Sequence, residues 1–397
     1  MRSYRKLFRT CEFTPLFLAS AGQTMAQTVS GLALSVLVYR QTDSALLSSL
    51  AMFGTAFAQV VGAATVLSAA DRLPPRAAMT ALGLLFGAGS AVQAGLPVWA
   101  VFAVLLGLGV VGSVSGGVRY GLLSEVLTRD GYLLGRSVFN MSAGVVQIFG
   151  FALGGALVTV FSARGTLLLS AGLYVLAAVV AGCGLRSRPP RGTGRASVAE
   201  TWRTNARLWS SAPRRYVYLA LWVPNGLIVG VESLYVPYAP DDAALLFAFG
   251  AVGMLVGDVV VGRFLPVRWR ERLSVPLCVL LAAPYLLFPL RPGLPVALAL
   301  VAVATFGYAA GLLLQERLMG LMPDALSGQA LGLHNSGMLT MQGVGAAMAG
   351  AVAELTSPAI GIVVTAAVSL TATSLLAPGL RGGTATGEAT ADNPPAG

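Results

Sequence analysis

Two carboxylates stand inside long apolar stretches, Glu232 in "LIVGVESLYV" and Asp258 in "GMLVGDVVVG". An ionised side chain in such a stretch is costly unless it is paired, so each carboxylate is a candidate for proton exchange. Glu232 lies about 16 residues, or ~24 Å, into its predicted helix at 1.5 Å per residue. No arginine of the second half of the chain is expected at that depth. An unpaired carboxylate in an apolar cleft favours its neutral form and can exchange protons near neutral pH.

Both carboxylates have alternative interpretations. Glu232 either carries protons, binds a cationic substrate, or extends its carboxylate to an aqueous interface. Asp258 precedes Arg263 by five residues. We expect a structural ion pair near the inner end of that helix, with proton coupling by Asp258 as the alternative.

Polar side chains on two other predicted helices could line a cavity. Gln23, Gln27 and Ser30 follow the spacing i, i+4, i+7, which places them on one helix face. The segment Pro224-Asn225-Gly226 is expected to break its helix, which would free carbonyl groups for a ligand or a hinge. Asn225 is therefore a further cavity-lining candidate.

Charged residues near predicted helix ends form a second group. Arg119 could pair with Asp71 or bind an anionic group, and pairing is the expectation. Arg263, Glu316 and Arg317 are expected at a gate on the same side of the molecule rather than at the substrate.

The elements that carry these residues are predicted to span a membrane. Hydrophobic residues make up 56% of the 397, charged residues 11%, and the mean hydropathy is +0.76. Soluble domains carry about 25% charged residues. At roughly 20 apolar residues per crossing, about a dozen crossings fit this length. The segments predicted are 13–39, 45–69, 77–96, 98–123, 137–161, 165–185, 216–238, 243–263, 273–290, 295–318, 331–355 and 358–378.

These segments predict two six-helix bundles, 1–185 and 216–380. Between them, 186–215 begins "RSRPPRGTGR", a composition typical of a linker. The linker could contain a surface helix with Trp202 and Trp209 on one face. The small, polar tail 381–397 is predicted to be disordered.

Charge placement predicts the orientation. Of the 26 Lys and Arg residues, Arg40, Arg164 and Arg291 fall on one predicted side, Arg119 within a helix, and the rest on the other side. This positive-inside pattern predicts cytoplasmic termini and linker in a multi-pass inner-membrane protein. It also makes nucleic acid an unsuitable partner, since no folded basic domain is predicted.

Several chemistries are excluded by residue counts. The single lysine, Lys6, lies outside any phosphate-binding loop, and the single histidine, His334, cannot form a two-histidine zinc motif. The three cysteines, Cys11, Cys183 and Cys278, are far apart, so neither a disulfide nor a metal site is indicated. The sequence therefore predicts no enzyme, no metal and no cofactor.

The two halves repeat one pattern. The fifth predicted helix carries Asn140, Gln147, Gly150 and Gly155, and the eleventh carries Asn335, Gln342, Gly345 and Gly350 at one common offset. "DRLPPR" and "GRFLPVR" match at a similar offset. Such a repeat predicts two parallel halves related by an axis along the membrane normal. The amide pairs are expected to bond across the interface between the halves, and the glycines, with Gly154, to permit close helix packing.

These motifs resemble the major facilitator superfamily over nearly the whole chain, and most of all its bacterial drug- and macrolide-efflux members. "LVYRQTDSALLSSL" looks like the junction of their first two helices, "ADRLPPR" resembles the superfamily loop after helix 2, and "GFALGG" resembles the antiporter motif of helix 5. The resemblance implies that Asp71, Arg72 and Arg76 lock the inner gate together with Glu125, an acid at the end of helix 4. Leu67 and Phe151 depart from these motifs. Gln23 stands where related exporters often carry Asp, which leaves coupling to helices 7 and 8.

The resemblance implies a monomeric transporter in which two helical bundles rock around a midplane cavity. We expect proton-driven export of a small amphipathic molecule. The alternatives are an importer or facilitator of a small solute, and a membrane scaffold or sensor that keeps the fold without transport.

Overall fold

The computed structural model describes residues 7–65, 73–127, 129–190, 198–322 and 327–382. All regular secondary structure in these residues is helical, as predicted. The gate candidates Asp71 and Arg72, and nearly all of the tail predicted to be disordered, lie outside them.

The N-half contains six long helices. Helix α1 is Phe13–Thr42, α2 consists of Ala45–Phe53 and Thr55–Thr65, α3 is Pro75–Gln93 and α4 is Val98–Val126. The segment Arg129–Gly184 forms α5 (129–161) and α6 (163–184), which meet at Ser162. There φ is 66°, and the Ser162 hydroxyl accepts the Gly165 N–H, as a helix N-cap does.

The C-half repeats this order. Helix α7 is Ala212–Ser233 with the turn Tyr235–Tyr238, and α8 is Ala243–Phe264. Helix α9 is Val267–Ala282, continued as the 3-10 helix Ala283–Leu290. Helix α10 runs from Leu294–Phe306 through Gly307–Ala309 to Ala310–Gly320, α11 is Ser327–Leu355 and α12 is Pro358–Gly382.

Eight helical stretches of the described chain are long and apolar enough to cross a bilayer, and the bent pair in α2 would be a ninth. One of the eight, Ser142–Gly184, contains the break at Ser162 and so covers parts of both α5 and α6. Helices α1 and α3 are not among them. Both helices contribute side chains to the wall of a cavity described below.

Helix packing follows the predicted pseudo-symmetry. Helix α1 packs on α5 and α6 as α7 packs on α11 and α12, and α2 packs on α4 as α8 packs on α10. The halves meet where α5 lies on α8 and α11 lies on α2.

The five glycines predicted to permit close packing all lie at these crossings. Gly150 and Gly154 pack on α1 at Thr28 and Leu32. Gly345 packs on the backbone of Gly226 in α7, so the two helices touch with no side chain between them.

The remaining two glycines lie between the halves. A Cβ atom at Gly155 would overlap Ala244 of α8, and one at Gly350 would lie 2.8 Å from the Cα atom of Leu46 in α2. Gly155 and Gly350 are equivalent positions of the repeat. The α5–α8 contact and the α11–α2 contact therefore both depend on a glycine at the same position of the repeat.

Helix α7 differs from the sequence prediction, because it runs unbroken through Pro224. The close contact of Gly226 with Met341 and Gly345 of α11 holds the segment against a straight helix. The linker contains a helix, Val198–Ser210, whose last turn packs on the C-half. Its Trp209 stacks on Trp222 of α7 with ring centroids 5.4 Å apart, and its Leu208 is fully buried.

Candidate functional site

A cavity of about 760 Å³ is lined mostly by the N-half and on one side by α11 of the C-half. Its walls come from α1 to α6 and from the first turns of α11. We call the end of the bundle where α1 begins and α12 ends the linker end, and the opposite end the far end. The cavity extends from Arg119 and Arg136 near the linker end to Leu34 and Gln93 towards the far end.

The hydrophobic cores define which end is closed. At the far end one core joins both halves, including Val36 of α1, Tyr235 beside α7, Phe247 of α8 and Ala353 of α11. Towards the linker end there are two separate cores, one around Phe13 in the N-half and another in the C-half. The cavity therefore lies beneath a closed far end.

Polar contacts also join the halves at the far end. The Glu354 carboxylate of α11 accepts the Ser44 hydroxyl at 2.9 Å and the Leu46 N–H at 3.2 Å, at the start of α2. The Ser49 hydroxyl of α2 donates to the Ser233 carbonyl of α7 at 3.3 Å. Glu354 thus caps a helix of the other half, where a negative charge is favoured by the helix dipole.

The α1 stripe lines the cavity. Gln23, Gln27 and Ser30 are all on its wall, with Thr24 beside them. The hydroxyls of Thr24 and Ser30 donate to carbonyls of their own helix. Among the described residues neither glutamine amide has a hydrogen-bond partner, so both amides are available to a ligand.

Two arginines lie on the cavity wall. The guanidinium groups of Arg119 (α4) and Arg136 (α5) lie 4.9 Å and 5.6 Å from the centre of the Tyr120 ring. The Arg119 Nε atom is buried without a hydrogen-bond partner in the described part of the chain. Sequence reasoning missed Arg136 because it put the start of this helix at 137, which made Arg136 a loop residue.

Glu232 lies away from this cavity. Its carboxylate accepts a hydrogen bond of 3.0 Å from the Tyr308 hydroxyl of α10, and the neighbouring hydroxyls of Tyr235 and Tyr285 are 2.7 Å apart. Among the described residues Glu232 forms no ion pair, and its hydrogen-bond partner is a neutral phenol, which sequence spacing could not reveal. Tyr235 and Tyr285 are fully buried, so this polar cluster belongs to the interior of the C-half.

The expected pair between Asp258 and Arg263 is not formed. Asp258 is half-buried on α8, whereas the Arg263 guanidinium lies 6.0 Å from the Phe264 ring centre on the exposed end of the helix. Side chains five residues apart point to different faces of a helix, which explains why the two do not meet.

Asn225 is also placed differently from the prediction. Its side-chain oxygen accepts the Gln342 amide of α11 at 3.1 Å, within the C-half, so it does not line the main cavity. Gln342 therefore bonds inside one half instead of across the interface. Asn335, seven residues earlier on the same helix, lines the cavity.

The remaining gate candidates lie at the linker end. Glu125 pairs with Arg188 at 3.5 Å, and Arg188 also binds the buried Glu12. This network within the N-half was not foreseen, because Arg188 was assigned to the linker.

In the C-half, Glu316 pairs with Arg270 at 2.9 Å, joining α10 to α9. Arg317 lines a small cavity of about 440 Å³ beside that pair. Arg76 is exposed at the start of α3.

Comparison with known proteins decides the family. The family model of the Major Facilitator Superfamily matches residues 16–346. The chain belongs to the Major Facilitator Superfamily. No curated protein sequence matches it. As a superfamily member it is a multi-pass membrane transporter and not an enzyme.

Solved transporter structures share the superfamily fold with this chain. A POT family transporter in complex with a thioalcohol-conjugated peptide has a TM-score of 0.73 and 12% identity, covering 93% of this chain and 96% of that one. A variant of the nucleoside transporter NupG has a TM-score of 0.73 and 10% identity, with coverages of 92% and 99%. A bacterial homologue of the human lysosomal transporter Spinster, inward-facing and unoccupied, has a TM-score of 0.69 and 12% identity, with coverages of 94% and 96%. At these identities the similarity concerns the fold alone.

Proposed function

We propose that this transporter exports small amphipathic molecules in exchange for protons, as a monomer, by alternating access. The observation that carries the proposal is a cavity between the halves beneath a far end closed by one shared core. Two rigid halves that touch through glycines can rock about those contacts. The division into bundles 1–185 and 216–380, joined by the linker 186–215, supplies the two moving bodies.

Protons are proposed to act through Glu232, with Asp258 as the second candidate. Ionised Glu232 accepts a hydrogen bond from Tyr308, whereas its protonated form can also donate one. The next residue, Ser233, accepts the hydrogen bond from Ser49 of the other half. A change in the α7–α10 contact at Glu232 can therefore alter the closure of the far end one residue away.

Sidedness follows from the arginine distribution. We propose that the linker end, with both termini, faces the cytoplasm of an inner-membrane protein. Cys11 is exposed at that end. In a Cys183→Ser background, a membrane-impermeant maleimide should leave Cys11 unlabelled in intact cells and label it after permeabilisation. Arg164→Cys, at the exposed start of α6, should react from outside.

Export can be tested with three fluorescent probes of different charge: ethidium, Nile red and dansylglycine. Cells that express the transporter should retain less of at least one probe than cells with an empty vector. A protonophore should remove the difference, and so should Glu232→Gln, which is permanently neutral. Asp241→Asn, at an exposed carboxylate in the α7–α8 turn, is the matched control and should export normally.

The results separate the alternatives. Greater, protonophore-sensitive accumulation would identify an importer, and equal retention of all three probes would contradict transport of amphipathic molecules. In proteoliposomes, Glu232→Gln should still exchange the transported probe while losing uphill movement. If Glu232→Gln moves the probe uphill at the wild-type rate, Glu232 is not the proton carrier and Asp258 becomes the candidate.

A further inference from the structure

The charged residues of the described cavity wall are all positive. Arg119 and Arg136 line it, and its other polar lining residues are amides, hydroxyls and phenols, with no carboxylate in the described wall. The ion pairs of the described carboxylates lie elsewhere, at Glu12, Glu125 and Glu316. Within its described wall, the cavity therefore carries two positive charges and no compensating carboxylate.

Both arginines contact the same aromatic ring. Each guanidinium lies over Tyr120 within the distance of a cation–π contact. The buried Nε of Arg119 lacks an acceptor, and a guanidinium donor without an acceptor is costly away from water. A structural ion pair would supply a carboxylate to these arginines, and the described wall contains none.

Guanidinium groups match one kind of ligand best. Their planar fork of N–H donors fits a carboxylate or phosphate through two parallel hydrogen bonds. Two such groups on neighbouring helices can bind the oxygens of a single anionic group from two directions.

The rest of the cavity is suited to the body of such a ligand. Phe86 and Tyr174 stack with ring centroids 5.7 Å apart on one wall, and the amides of Gln23 and Gln27 lie on another. A volume of about 760 Å³ is in the range of small-molecule sites. The anionic group would lie near the linker end and the amphipathic body deeper in the cavity.

We propose that the substrate is a small organic anion whose carboxylate or phosphate binds Arg119 and Arg136, with Tyr120 positioning both. This deepens the proposed function, on which the claim of transport rests, while binding itself requires neither export nor protons.

Binding can be measured on the purified full-length protein in dodecyl maltoside. Dansylglycine and 1-naphthyl phosphate are the anionic probes, and dansylglycinamide and 1-naphthol are their neutral counterparts. Fluorescence titration should give at least one anion a Kd about tenfold or more below that of its neutral counterpart, as expected for charged hydrogen bonds. Added NaCl should weaken binding of the anion and leave the neutral probe unchanged.

Variants assign the effect to the two arginines. Arg119→Gln and Arg136→Gln should each remove most of the preference for the anion, and Arg119→Lys should keep part of it. Arg164→Gln removes an equal charge at the exposed start of α6 and should bind as the wild type does. Equal Kd values for acid and neutral probes in the wild type, or an undiminished preference in both glutamine variants, would overturn the proposal. Either result would leave the export experiment unaffected, because that experiment measures retention of probes of every charge.

Discussion

The two ends of the bundle are held together in different ways. At the far end, one hydrophobic core and the bonds of Glu354 and Ser49 join the halves. At the linker end, the ion pairs of Glu12 and Glu316 bind helices of the same half, and each half has its own core. The difference shows that the far end is an interface between two bodies, whereas the linker end belongs to each body separately.

This difference suits alternating access. A transporter must break the contacts of one end while each half stays folded. Contacts that define the closed far end should therefore control the conformational equilibrium, and contacts inside one half should control stability. Variants of both kinds test the distinction.

The largest effect is expected from Gly155→Leu. Its side chain must displace Ala244 of α8, and overpacking of this kind costs about 3 kcal/mol. The conformation with a closed far end should be destabilised by that free energy relative to the conformation with an open far end. The ratio of the two populations should change roughly a hundredfold. Reactivity of a cysteine at Ser49, buried in the closed end, should rise accordingly in maleimide labelling.

Gly172→Leu is the control for Gly155→Leu, because open space surrounds Gly172 on α6. It adds the same side chain to the same half and should leave labelling at Ser49 unchanged. Equal labelling in both leucine variants would show that the α5–α8 crossing does not hold the far end closed.

Glu354→Gln should also favour opening of the far end, but less than Gly155→Leu does. The amide keeps an acceptor for Ser44 and Leu46 but loses the charge, which weakens those bonds by about 1 kcal/mol. Labelling at the far end should rise several-fold. Asp242→Asn, in the α7–α8 turn at the same end, should not alter it. An unchanged rate in Glu354→Gln would mean that its bonds do not contribute to closure.

Arg188→Gln should leave the conformational equilibrium where it is. It removes the main partner of the buried Glu12 inside the N-half, so the melting temperature should fall by about 2–4 °C. Labelling at the far end should match the wild type. A shift in labelling would show that the linker-end network also senses the state of the interface.

The fold was readable from the sequence because lipid restricts a chain to helices of a set length. The repeated glycines of the fifth and eleventh predicted helices indicated the symmetry, since close backbone contact tolerates no larger residue. The site was harder to predict from the sequence. Helix spacing identified Gln23, Gln27 and Ser30, which share one element. The Glu232–Tyr308 bond joins residues 76 apart in sequence, and no local pattern predicts such a contact.

The central claim is that the two ends close alternately, and paired distance measurements test it most directly. Spin labels at Arg76 and Trp269 report on the linker end, and labels at Trp99 and Val296 report on the far end; all four side chains are exposed. Double electron–electron resonance in a cysteine-free background should give one dominant distance for each pair of labels in the otherwise wild-type protein. In Gly155→Leu, the far-end distance should increase and the linker-end distance should decrease in the same fraction of molecules. An increase at the far end with no change at the linker end would contradict the account.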